Sequence, residues 1–169
     1  MEIEAIRELR PKRLMLSYHY WKNTTLKEFV SLIGYEPIIF VDSGAYSAHT
    51  SGRPIRYEKY LQYIQHEDNA PYIYRYFCLD AIGDSDKSYE IWLDMRARGL
   101  NPIPVFHYME DEAILEKYLA AKVDLIGLGG TVAIKSKAEV AEWARLITWQ
   151  YPGNYHLLGS ASKTVLDHV

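Results

Sequence analysis

Asp42 and Asp80 each end a short apolar run, "IIFVD" (38–42) and "YIYRYFCLD" (72–80). A carboxylate at the tip of a buried strand is costly to desolvate, so its presence there asks for a use. Adjacent parallel strands run about 4.8 Å apart, which lets two such tips face one pocket. Paired carboxylates in a partly dry pocket acquire separated pKa values. One can then move a proton while the other accepts hydrogen bonds. Asp42 also admits a local reading, as a cap on its own turn through the amides of Gly44 or Ala45.

Other apolar runs end in the same way. "LMLSY" (14–18) leads to Ser17 and His19, and "PIPVFHY" (102–108) carries His107. "DLIGLGG" (124–130) ends at Gly129 and Gly130, and "YHLLGS" (155–160) at Gly159 and Ser160. His107 suits a ligand-facing donor and a satisfied structural histidine equally. The glycine pair lets a ligand approach the backbone, with a phosphate cradle as one option and an ordinary strand-to-helix turn as another. His19, His107, His156 and Asp80 share no metal-binding spacing, so no metal is expected. There is no P-loop, dinucleotide fingerprint or G-x-S-x-G elbow, and hence no expected cofactor.

The elements that must position these residues alternate along the chain. Leu26, Phe29, Val30 and Ile33 follow helical spacing, with Thr25 and Glu28 as a capping box and Gly34 as a stop. Tyr57, Tyr60, Leu61 and Ile64 mark a second helix, and Tyr89, Trp92, Leu93 and Arg96 a third that ends at Gly99. Ile114, Leu115, Tyr118 and Leu119 mark a fourth, then Val140, Trp143, Ala144 and Ile147 a fifth opened by Ser136. A sixth is expected from Ser162. Such alternation predicts a parallel sheet with crossover helices in one α/β domain over residues 1–169. Polar tips on nearly every strand favour a (β/α) TIM-type barrel, whose strand ends converge on one mouth, over an open sheet with one switch point. About six βα units are present, whereas a full barrel takes roughly 250 residues. The expectation is an incomplete barrel lacking its last strands, either truncated or completed by a second copy or a complementing subunit.

Composition bounds the rest. The chain has 169 residues, 49% hydrophobic and 24% charged, with a net charge of −3. That balance excludes a disordered chain and a strongly basic nucleic-acid binder. Arg7, Arg10, Lys12 and Arg13 form a short basic segment, read as a solvated helix end rather than a phosphate contact. No apolar run approaches the ~20 residues of a membrane span, and the charged start "MEIEAIRELRPKR" lacks a secretory core. Cys78 is the one cysteine and reads as core packing, which excludes an internal disulfide. The expected compartment is the cytoplasm, that of a host if the gene is viral.

"VDSGAYSA" resembles the Asp-Ser-Gly-Gly/Ala-aromatic signature of the tRNA-guanine transglycosylase superfamily, particularly its short phage-encoded and DNA-modifying relatives. "FCLDAIGD", "NPIPVFHYMED", "LIGLGGTV" and "YHLLGSAS" follow in the matching order, so that the resemblance spans about residues 14–162. It implies a pentosyltransferase that exchanges guanine in tRNA or DNA for a 7-deazaguanine such as queuine or its relatives, through a covalent glycosyl intermediate. Asp42, with Ser43 beside it, matches the acid/base aspartate. Asp80 matches the carboxylate that accepts from N1 and the exocyclic amine of the purine. His107 falls near a base-binding glutamine, Gly129 and Gly130 match glycines whose backbone approaches the base, and Tyr46 occupies a position suited to stacking. The family's nucleophilic aspartate lies on a strand beyond the sixth. Asp167 follows the last strand on a helix and does not match it. The cysteine-rich zinc site of the tRNA enzymes is absent as well. Two alternatives stay open: a non-catalytic barrel that binds a purine or nucleic acid, and an unrelated barrel enzyme that holds a phosphorylated metabolite at Gly129, Gly130 and Ser160.

Overall fold

The computed structural model describes residues 3–159. The helix expected from Ser162, together with Ser160 and Asp167, lies outside them. In chain order the elements are α1 (Ile3–Leu9), β1 (Arg13–Ser17), α2 (Tyr18–Trp21), α3 (Leu26–Ile33), β2 (Ile38–Asp42), α4 (Ala45–Thr50) and α5 (Tyr57–Gln65). Then follow β3 (Ile73–Tyr76), α6 (Ser85–Ala97), β4 (Val105–His107), α7 (Glu112–Ala120), β5 (Ile126–Gly129), α8 (Lys137–Gln150) and β6 (Tyr155–Leu157).

The fold is mixed α/β, with two three-stranded parallel sheets ordered β1-β2-β3 and β4-β5-β6. The strands do not close into a barrel: among the described residues β1 pairs only with β2, and β6 only with β5. One parallel bridge, Phe77 to Ile103, joins the two sheets. The expected strand over 72–80 is shorter for a reason visible in its hydrogen bonds. Phe77 N–H still donates to Val41, at 2.9 Å, but Cys78 N–H turns to Ile103, at 2.7 Å. The chain changes neighbours at that point and leaves the ladder. Tyr18 likewise leaves β1 and opens α2.

Helix signals in the sequence correspond to real contacts. Thr25 and Glu28 make both bonds of the capping box, and Gly34 ends α3 at φ +74°. Ser136 Oγ accepts from Glu139 N–H at 3.2 Å to open α8. On α6 the buried stripe runs through Ser88, Trp92 and Met95, while Leu93 stays 45% exposed. The buried face is thus rotated by one side chain from the expected one.

Each strand presents one face to the helices and one to the interior between the sheets. Leu14, Leu16, Ile39 and Val41 pack with the helices, as do Phe106, Ile126 and Leu128. The intervening residues Met15, Phe40, Val105 and Leu158 gather on the opposite face around Phe77 and Ile103. Because side chains alternate along a strand, Asp42 must share the face of Phe40, and His107 that of Val105. The site follows from this.

Candidate functional site

A cavity of about 660 Å³ opens at the C-terminal ends of the strands, a volume typical of small-molecule pockets. Asp42, Tyr46, Asp80, His107, Gly129 and Gly130 all line it. Ser43 does not. Alternation turns it to the other side of the strand tip, where it is 1% exposed and its hydroxyl accepts from Ala45 N–H at 3.3 Å. Its place in the structure is to start α4. Asp84, another polar residue near a tip, caps α6 by accepting from Lys87 N–H at 2.9 Å.

Burial pushes the Asp42 carboxyl above the usual range. The Gly44 amide draws it back, the neighbouring charge of Asp80 pushes it further up, and the Ser43 amide draws it down. The Ser17 hydroxyl, paired with Asp42 across β1 and β2, also draws it down from close by without reaching full hydrogen-bond geometry. The net direction is upward, which eases protonation of Asp42. A side chain at Gly44, where φ is +73°, would strike the Ser17 hydroxyl and His19 Cβ. The glycine admits the end of β1 before it admits any ligand.

Asp80, His107 and Glu110 form a buried chain of charges. His107 Nε2 lies 3.5 Å from Asp80 Oδ2, and Nδ1 lies 3.0 Å from Glu110 Oε1. Glu110 Oε2 also accepts from the His107 backbone N–H at 2.8 Å. The three side chains are only 14%, 10% and 13% exposed for His107, Asp80 and Glu110. Burial alone would pull the imidazolium down. The two carboxylates outweigh it and hold His107 up at about 10, so that the ring is charged at neutral pH. Burial pushes Asp80 upward, and His107 offsets part of that rise. The other Asp80 oxygen, Oδ1, accepts no hydrogen bond among the described residues, and Asp80 lines the cavity.

Of the two readings of His107, this arrangement favours the satisfied structural one: the residue lines the cavity, but both ring nitrogens face carboxylates of the protein. Gly129 serves that packing too. A Cβ there would meet His107 Cδ2 at 2.7 Å and Val105 Cγ1 at 2.8 Å. Gly130, at φ +74°, turns the chain beside Tyr108, whose N–H donates to Gly129 C=O at 3.0 Å. Tyr46 stands at the rim, 40% exposed, with no ring contact among the described residues. Sequence reasoning missed Glu110, although the H-x-x-E spacing of "HYME" directly after a strand was a usable signal. Cys78 is buried, and burial pushes its thiol well up, which leaves it inert as expected. Among the described residues no three His, Cys, Asp or Glu side chains are grouped to hold a metal ion, and no helix is long and apolar enough to cross a membrane.

No model of a known protein family matches the chain, and no curated protein is significantly similar to it.

Proposed function

We propose that the cavity binds a guanine-type purine, and that the protein is a base-exchange transglycosylase of the tRNA-guanine transglycosylase class acting on tRNA or DNA. Its six parallel strands are then read as the arc of a (β/α) barrel. The observation that carries the reading is the convergence of two strand-tip carboxylates on one purine-sized cavity, with Asp80 Oδ1 unengaged. Guanine and 7-deazaguanines present N1–H and an exocyclic amine side by side, a donor pair that fits a carboxylate. Asp42, with its raised pKa, can give a proton to a departing base and recover it from the incoming one. Tyr46 offers a ring at the rim for stacking. Base recognition and proton transfer then fall to the described residues, and the glycosyl nucleophile is unassigned.

A binding-only reading has one observation in its favour. Asp80 and Glu110 are both held by His107, and Asp111 caps α7 by accepting from Ala113 N–H at 2.9 Å. Of the carboxylates that line the cavity among the described residues, only Asp42 is neither paired with His107 nor used to cap a helix.

Calorimetric titration with guanine and 7-cyano-7-deazaguanine tests the proposal. Asp80→Asn is expected to weaken binding by more than tenfold, the equivalent of losing a charged hydrogen bond worth about 1.5–3 kcal/mol. A folded wild-type chain that binds neither base would overturn it. Incorporation of labelled guanine into tRNA or DNA then separates exchange from binding alone.

A further inference from the structure

We propose that Glu110 is a positioning residue for the ligand carboxylate: it grips His107 through ring and backbone together, and His107 in turn fixes Asp80 so that Oδ1 faces the cavity. The proposal rests on the base-binding reading above for what Oδ1 receives, but its geometry stands independently.

Three features of the turn after β4 point the same way. The Glu110 side chain folds back onto the residue three before it, with Oε2 on the His107 N–H at 2.8 Å and Oε1 on Nδ1 at 3.0 Å. The Glu110 N–H donates to the His107 C=O at 3.1 Å, which closes the turn from the other direction. Met109, between them, sits at φ +68° with its side chain 82% exposed. A non-glycine residue is strained at that backbone angle, and its exposed side chain gains little packing in return. The fold-back of Glu110 is what holds the turn.

The consequence lies in where a proton resides. With both carboxylates in place the His107 ring keeps two N–H groups, one for each. Remove the Glu110 charge and only Asp80 supports the imidazolium against burial, so the ring loses a proton at lower pH. Asp80 then loses the cation that fixes it. The other titratable groups around this chain are Asp42, Cys78, Tyr60 and Tyr118, whose charges couple to Asp80. Burial pushes the thiol and both phenols up, so none of the three titrates near neutrality. The Asp42 carboxyl, also raised by burial, is present in wild type and variant alike and so does not distinguish them.

The test is Glu110→Gln in the full chain, which keeps an oxygen for the His107 N–H and removes the charge. Two measurements are made. The first follows the His107 ring by NMR against pH, without any ligand. The wild-type ring is expected to stay doubly protonated until about pH 10, and the variant midpoint to fall toward the ordinary value of 6.5. The second is guanine affinity. The wild type is expected to be flat between about pH 6 and about pH 8. The variant is expected to lose about tenfold or more at the upper end and to recover at the lower end, where the ring recharges. A purely structural role predicts a loss that is equal at both pH values. An unchanged ring midpoint, or a pH-independent loss, overturns the proposal. If the variant does not fold, the wild-type titration still decides: a ring that titrates near its ordinary value overturns it. Wild-type protein that binds no purine refutes the base reading instead, and the ring titration remains as the measure of how Glu110 holds His107.

Discussion

Asp80, His107 and Glu110 bring two carboxylates and one imidazolium into a space almost closed to water, so the group carries a net negative charge when all three ionise. That favours a ligand rich in N–H donors over a phosphate. It also links the fold to pH. The His107 imidazolium has its ordinary value of 6.5 in the unfolded chain and about 10 in the folded one. The stability it adds is therefore fully present below about pH 6.5 and is lost as pH rises through about 10. Chemical denaturation at stepped pH should show a fall on the order of a few kcal/mol across that window. A flat profile there would mean that the ring is neutral in the fold. Asp42 and Asp80, whose carboxyls are raised by burial, act in the same direction at lower pH. Their ionisation as pH rises above the ordinary carboxylate value costs stability.

The turn between β4 and α7 concentrates the local conflict. His107 must end the strand, Glu110 must reach back to it, and the residue at the tight position must adopt a positive φ. Glycine does this without steric cost, and methionine does not. Because the Met109 side chain is 82% exposed, Met109→Gly forfeits almost no packing. It should stabilise the protein by about 1 kcal/mol, seen as a higher denaturation midpoint with an unchanged slope. A destabilised variant would mean that the methionine is held by contacts on the rim. The run "GLGG" at the end of β5 is shaped by neighbours of another kind. Gly127 admits the ring of Phe77, since a Cβ there would lie 3.0 Å from Cε1, and Gly129 admits His107. Gly129 thus makes room for a side chain of the protein while it also lines the cavity beside Gly130. The sequence contained no sign of which neighbour would fill the space.

At the scale of the molecule, two small sheets meet through a narrow seam. Among the described residues a single bridge carries the backbone across, made of the bond from Cys78 N–H to Ile103 C=O and the one from Ile103 N–H to Tyr76 C=O at 2.8 Å. Arg75 on β3 reaches Asp124 just ahead of β5 with two bonds of 2.7 and 2.8 Å, at the opposite end from the site. Between the sheets the packing centres on Phe77, which is 1% exposed. Phe77→Ala should cost about 3–5 kcal/mol by cavity formation. It should also loosen Asp80, three residues further on, so that base affinity falls in the fraction that remains folded. Thermal unfolding and calorimetry on the same preparation would check both. A loss under about 1 kcal/mol would show that the sheets do not depend on this ring.

Local rules written in the sequence determine a good deal by themselves. Thr25 with Glu28, Gly34, and Ser136 mark helix ends because caps are satisfied within three or four residues. The two-residue alternation of a strand puts Asp42 with Phe40 and His107 with Val105 in any register. Tertiary structure alone decided where strands change partners, as at Phe77 and Cys78, since the competing neighbour of Phe77 lies 26 residues away at Ile103. It also decided that the two ring nitrogens of His107 meet two carboxylates, and that Ser43 starts a helix instead of lining the cavity. Those outcomes depend on which groups meet in three dimensions and on how much water remains between them. Spacing along the chain encodes neither.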